Sequence, residues 1–176
     1  MMSSKIKLIV LDVDGVLTDG KLIIGTNHTE LKAFHSQDGM GITLARHAGI
    51  QFAIITGRKS DAVRRRAKEL SIDYLYEGIS DKIQVFENLL NELNISHEEV
   101  CFIGDDINDL LILKQVGLAC APKDAVDMVK RNVHYITKRS GGEGAVREVI
   151  DRILTEQFDY DDFVMKFLQN KIEVKQ

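Results

Sequence analysis

Short apolar runs alternate with amphipathic stretches along most of this chain. Ile6–Leu11 reads as a buried strand, and Phe52–Ile55, Tyr74–Tyr76, Val100–Ile103 and Leu118–Ala121 repeat the pattern. Runs this short, apolar on both faces, suit central strands of a parallel sheet. Between them lie helical patterns at Gly39–His47, Ser60–Leu70, Lys82–Leu93, Ile107–Val116, Asp124–Val129 and Ala145–Leu154. In Lys82–Leu93 the residues Ile83, Phe86, Leu89, Leu90 and Leu93 fall on one helical face. This alternation predicts an α/β fold, a doubly wound parallel sheet with helices on both sides. One segment breaks the rhythm. Lys21–Ile24 and Glu30–Phe34 flank the turn-like Gly25-Thr26-Asn27-His28, which predicts a β-hairpin flap over residues 21–34. Leu22, Ile24, Leu31 and Ala33 would then lie exposed on a lone chain. Residues 1–157 are expected to form one domain. The tail 158–176, with Phe163, Phe167 and Leu168 spaced helically, is expected either to dock as a helix or to be partly disordered.

Composition narrows the possible partners. A chain of 176 residues with 44% apolar content has enough for one core. A net charge of −4 argues against nucleic acid or an anionic membrane as partner. No apolar run approaches the roughly 20 residues of a membrane helix. The opening MMSSKIKLIV is too short for a signal peptide. Cys101 and Cys120 sit inside strand-like runs and are read as reduced core thiols, which predicts a cytoplasmic setting. His47, His97 and His134 show no ligand-like spacing and are read as surface residues. Two of Arg64, Arg65 and Arg66 are read as an ordinary solvated helix face.

Ligands of doubly wound sheets bind outside the carboxyl ends of the strands, so the residues after each apolar run carry the chemistry. The first run ends in Asp12-Val13-Asp14-Gly15. Two carboxylates beside a buried run are costly unless they are hydrated, paired or metal-bound. One can attack phosphorus as a nucleophile, and the other can serve as acid and then base. The second run ends in Thr56-Gly57-Arg58, a hydroxyl and a flexible residue just before a helix. Lys82 opens a helix, where a cation opposes the helix dipole unless an anion is close by. The fourth run ends in Gly104-Asp105-Asp106-Ile107-Asn108-Asp109, oxygen ligands of the kind Mg²⁺ takes. Asp105 and Asp109 are four apart, so both could face one site. Each signal alone has an ordinary reading as turn, cap or solvated side chain. Together they answer one physical problem. A phosphate dianion approaching a carboxylate is repelled by about 4 kcal/mol per charge pair near 4 Å at an effective dielectric of 20. A lysine and a metal would cancel that repulsion.

At this point the chain resembles the haloacid dehalogenase-like hydrolases, whose four motifs match Asp12-x-Asp14-Gly15, Thr56-Gly57-Arg58, Lys82 and Gly104-Asp105-Asp106 with Asp109. The resemblance implies that Asp12 is nucleophile and Mg²⁺ ligand. It implies that Asp14 is the acid/base, with its backbone carbonyl on the metal, and that Thr56 and Lys82 hold the phosphoryl group. Asp105 would complete the metal site, supported by Asp106 and Asp109. LDVDGVLTDG, ELKAF followed by QDGMGI, AIITGR and GGEGAVREV narrow the likeness to the capless phosphatases of 3-deoxy-D-manno-octulosonate 8-phosphate (KDO 8-phosphate), cytoplasmic homotetramers of lipopolysaccharide synthesis. That likeness implies a small phosphorylated sugar acid as substrate and a tetramer in which a neighbour closes each site. It implies substrate contacts from Asp14, His35, Ser36, Gln37, Asp38, Gly39, Thr43, Gly57, Arg58, Arg66 and Lys82. Gln37, Thr43 and Glu143 depart from it, since basic residues are expected there. Phosphatases of nine-carbon, sialic-acid-like 9-phosphates share the architecture.

Other classes fit less well. Receiver-type signalling modules also combine a phosphorylated Asp with Thr, Lys and Mg²⁺. Their phosphoacceptor lies on a middle strand, however, and no acidic cluster follows their lysine. Ion pumps need membrane helices, and phosphomutases of this superfamily need a cap.

Overall fold

The computed structural model describes residues 4–26 and 29–173. Its frame is a six-stranded parallel sheet in the order β5-β4-β1-β6-β7-β8. The strands are β1 (Leu8–Leu11), β4 (Gln51–Thr56), β5 (Tyr74–Glu77), β6 (Val100–Ile103), β7 (Leu118–Ala121) and β8 (Tyr135–Ile136). The chain leaves β1 for β4 on one side and returns to β6 on the other. The carboxyl ends of these three strands therefore border the topological switch point, where such folds bind ligands.

Alternation along the strands divides the interior into two cores. Ile9 and Leu11 join Phe52, Ile54, Cys101 and Ile103 on one face. That face is covered by α1 (Ser36–His47), α2 (Asp61–Glu69), α6 (Ala145–Gln157) and α7 (Tyr160–Glu173). Leu8 and Val10 join Ala53, Ile55, Val100 and Phe102 on the other. There α3 (Lys82–Leu93), α4 (Leu110–Leu113) and α5 (Asp127–Lys130) close the layer. Phe52, Phe86 and Phe102 are fully buried. Truncating any one to Ala would cost about 3–5 kcal/mol.

The hairpin is present but short. Strands β2 (Ile23–Ile24) and β3 (Glu30–Leu31) pair antiparallel, Ile23 opposite Leu31 and Ile24 opposite Glu30. Asn27 and His28 of the expected turn lie outside the described residues. Leu22, Ile23, Ile24 and Leu31 are all exposed.

Several elements differ from the sequence pattern. Helix α1 begins at Ser36, not Gly39, because His35 caps it by accepting the Gln37 N–H on Nδ1 at 3.3 Å. The pattern at Ile107–Val116 splits into a 3₁₀ turn at Ile107–Asp109 and the single α turn of α4. The pattern at Asp124–Val129 shrinks to α5. Strand β8 has two residues and no apolar run to announce it. The tail forms α7, with Phe163, Val164 and Phe167 packed on its own chain's core. His134 is a surface residue, as expected, and its Nδ1 accepts the Ala119 N–H at 2.8 Å. His47 is exposed as well and packs edge-on against Phe167, centroids 5.1 Å apart. Among the described residues no helix is long and apolar enough to cross a membrane.

Candidate active site

Strand ends deliver the catalytic candidates to one place. Asp12 follows β1 and Thr56 ends β4. Lys82 opens α3 after β5, and Gly104-Asp105 follows β6. Asp12 is 5% exposed, Thr56 2%, Lys82 4% and Asp109 0%, an unusual concentration of buried polar groups. Lys82 Nζ lies 3.0 Å from Asp12 Oδ2 and 2.8 Å from Asp109 Oδ1. Asp109 Oδ2 accepts the Asp105 N–H at 3.2 Å, and Asp12 Oδ1 accepts the Val13 N–H at 2.7 Å. The fourth-strand loop is thus tied to the nucleophile candidate through one ammonium. Gly15, at φ +87°, turns the chain between them, and a Cβ there would overlap the Asp105 carboxylate.

The charges at this site do not balance. Carboxylate oxygens of Asp12, Asp105 and Asp109 lie within 4.8 Å of one another, with one ammonium among them. Burial raises all three pKa values. Asp105 is pushed to about 7, by desolvation first and then by the charge of Asp12 and Asp109. Asp109 goes to about 6, again by desolvation and then by Asp12. Asp12 is raised by desolvation, which outweighs the opposing pull of Lys82. Burial pulls Lys82 down, but the Asp12 and Asp109 carboxylates more than offset it, so it stays charged. Asp105 Oδ1 is buried with no hydrogen-bond partner. A hard divalent cation fits this all-oxygen donor set and its uncompensated negative charge.

The other expected site residues fall into two groups. Asp106 caps the 3₁₀ turn, accepting the Ile107 N–H at 2.7 Å, and is exposed; the fold does not bring it into the carboxylate cluster. Asp14 also stands apart from that cluster, its Oδ1 ion-paired to Lys32 Nζ. Gly57 is open and exposed. Arg58 reaches across to Glu30 Oε2 at 2.7 Å.

The start of α1 gathers the remainder. Ser36 and Gln37 are exposed on its first turn. Asp38 is 2% exposed; its Oδ1 accepts the Arg147 N–H at 2.8 Å, while Oδ2 has no partner. Burial raises its pKa against the pull of that hydrogen bond and of His35, Arg139 and Arg66. A Cβ on Gly39 would stand 2.6 Å from the Arg66 guanidinium, so a side chain there would displace the tip of that cation. Thr43 spends its hydroxyl on the Gly39 carbonyl at 3.0 Å. Two residues here escaped the sequence reading. Arg139 donates to Gln37 Oε1 at 2.5 Å from a loop with no periodic signal. Lys32 was legible in principle: the alternation that turns Leu31 and Ala33 outward turns Glu30 and Lys32 the other way.

Known proteins bear on this geometry. A family model described as haloacid dehalogenase-like hydrolase matches residues 75–150. A 3-deoxy-D-manno-octulosonate 8-phosphate phosphatase, KdsC, of Escherichia coli K12 is 44% identical over 160 residues, 91% of this chain and 85% of that protein. A probable YrbI family phosphatase from Pseudomonas syringae pv. phaseolica superposes with a TM-score of 0.90 at 43% identity, covering 93% of each chain. A 3-deoxy-D-manno-octulosonate 8-phosphate phosphatase from Moraxella catarrhalis, solved with magnesium, phosphate and KDO, superposes with a TM-score of 0.89 at 41% identity, covering 93% of this chain and 94% of that one. The four motifs meeting at one sheet edge and identity that runs through nine-tenths of the chain lead to one conclusion: this chain belongs to the haloacid dehalogenase-like hydrolases, in the branch of the KDO 8-phosphate phosphatases.

Proposed function

We propose that this chain is a Mg²⁺-dependent phosphoric monoester hydrolase that converts KDO 8-phosphate to KDO and phosphate through an aspartyl-phosphate on Asp12. The observation that carries this reading is the buried Asp12–Lys82–Asp109 bridge beside Asp105, at the switch point of a chain 44% identical to KdsC. An Asp12 carboxylate oxygen attacks phosphorus as the bond to the sugar oxygen breaks. Asp14 gives that oxygen a proton. It then takes one from the water that attacks the phosphorus of the acyl-phosphate, which frees phosphate and restores Asp12. Thr56 and Lys82 hold the phosphoryl oxygens, and Lys82 screens Asp12 from them. Asp12, Asp105 and the Asp14 backbone carbonyl would hold Mg²⁺, with Asp109 in support; when bound, it neutralises phosphoryl charge as a Lewis acid. The magnesium in the Moraxella catarrhalis relative supports this assignment.

The sugar-acid end is assigned to the start of α1. Gln37 and Thr43 bring no charge there, so Arg66, Arg139 and Arg58 are the cations available to a carboxylate. The same reading makes residues 1–157 the phosphatase unit of a cytoplasmic homotetramer. The exposed apolar hairpin supports it, since a lone two-stranded ribbon is marginal in water. On the tail, Met165 and Leu168 face outward and are available to a neighbour. Buried free Cys101 and Cys120 suit a reducing compartment. A phosphate-release screen tests the substrate. KDO 8-phosphate should give the highest kcat/KM, above nonulosonate 9-phosphates, neutral sugar phosphates and nucleotides. Preference for glucose 6-phosphate or a nucleotide would overturn the assignment.

A further inference from the structure

The hairpin hides a cation. The Lys32 side chain is 1% exposed, although Lys32 follows β3 of the hairpin, outside the main sheet. A buried ammonium is unfavourable unless paired, and Lys32 is paired on two sides. Its Nζ meets Asp14 Oδ1 and lies 3.5 Å from Glu30 Oε1. Glu30 in turn holds Arg58 through Oε2 at 2.7 Å. Four charges of alternating sign thus run from Asp14 through the hairpin to the loop after β4. Among the described residues, the Lys32 contact is the one hydrogen bond made by the Asp14 side chain. Asp14 precedes Gly15 in the turn after β1 and is half-buried, so this contact leaves its other oxygen to face the reaction.

We propose that Lys32 is a positioning residue for the hydrolysis. This rests on the reading of Asp14 as acid/base. With Oδ1 held by the ammonium, Oδ2 is the oxygen turned to the substrate. The proton on Oδ2 passes to the leaving sugar oxygen as the P–O bond breaks, and Oδ2 later receives one from the attacking water. Lys32 faces the carboxylate left behind after the first transfer, two residues from Asp12. The hairpin is therefore part of the catalytic apparatus and not only a lid.

Leaving-group dependence separates this role from a merely structural one. An alkyl ester needs a proton on its departing alkoxide, whereas p-nitrophenolate leaves readily without one. The full chain with Mg²⁺ is assayed on KDO 8-phosphate and on p-nitrophenyl phosphate, as wild type, Lys32→Met, Lys32→Arg and Asp14→Asn. Lys32→Met should lower kcat/KM for the alkyl ester by about 10- to 100-fold, the scale of a mispositioned catalytic group. The loss on the aryl ester should be at least several-fold smaller, and Lys32→Arg should restore most of the difference. Asp14→Asn should show the same selectivity on a larger scale, within the roughly 10²- to 10⁴-fold reach of acid–base catalysis. Equal losses on both esters in Lys32→Met, beside selective loss in Asp14→Asn, would overturn the role of Lys32 alone. Equal losses in Asp14→Asn would overturn the reading of Asp14 beneath it. If Lys32→Met does not fold, Lys32→Gln, which keeps a donor in the buried space, carries the same comparison.

Discussion

Replacing Lys82 with Met removes the one ammonium from a site that holds three carboxylates. In the folded protein Lys82 sits 3.0 Å from Asp12 and 2.8 Å from Asp109, 4% exposed. At an effective dielectric of 20, each contact is worth about 6 kcal/mol of gross Coulomb attraction. Desolvation offsets much of that, and breaking a buried pair by deleting one partner costs a net ~3–5 kcal/mol. For a chain of this length, each kcal/mol moves Tm by about 2–4 °C, so Lys82→Met should melt about 6–20 °C below wild type in EDTA. Mg²⁺ should raise Tm more in the variant than in wild type, because the cation replaces the lost charge. Turnover should also fall, since a charge-assisted contact to the phosphoryl group is worth about 1.5–3 kcal/mol, or roughly 10- to 150-fold. The assay is a pair of thermal melts at neutral pH, with EDTA and with excess Mg²⁺, alongside phosphate release. A variant that melts within 1 °C of wild type in EDTA, with unchanged phosphate release, would refute the view that Lys82 neutralises the site.

Three further outcomes follow from the same charges. Asp105 at about 7 and Asp109 at about 6 hold protons that their unfolded counterparts, near 3.8, have already released. These two groups should therefore take stability from the metal-free fold as pH rises from about 4 to 7, so the gain in Tm from Mg²⁺ over EDTA should grow across that window; a gain that stays flat or shrinks would contradict it. Arg66→Ala should lower kcat/KM about 10- to 100-fold for KDO 8-phosphate, with a smaller loss for a neutral sugar phosphate, measured by phosphate release. Replacing exposed Ile24 and Leu31 with Asp should give species smaller than four chains in sedimentation equilibrium, with reduced activity; a fully active wild-type monomer would defeat the tetramer.

The motifs were readable because each sits directly after an apolar run, and parallel strands deliver such positions to a single edge. That is why the sequence alone assigns Asp12, Thr56, Lys82 and Asp105 to one site. Differences arose where tertiary contacts override local pattern. The first turn of α1 holds Gly39, a poor helix former. It is helical because His35 caps it. Asp106 and Asp109 cannot be ranked from spacing alone. The 3₁₀ turn at Ile107–Asp109 directs Asp109 inward to Lys82 and leaves Asp106 as an exposed cap. Arg139 lies 102 residues from Gln37 in sequence, and no periodicity records a contact of that range. Lys32 stood inside a recognised hairpin, but its value depends on which strand face meets the loop after β1, which the fold alone decides.

Trapping the covalent intermediate tests the central claim most directly. The Asp14→Asn variant, slowed in releasing the phosphoryl group, is mixed with Mg²⁺ and p-nitrophenyl phosphate, whose leaving group needs no proton, then quenched with borohydride and digested for mass spectrometry. Borohydride reduces an aspartyl-phosphate to homoserine, so position 12 should carry homoserine in the substrate-treated sample and Asp in the control. Reduction at another carboxylate, or an unmodified Asp12 in a sample that has released one equivalent of p-nitrophenolate without releasing phosphate, would contradict the assignment of Asp12 as nucleophile.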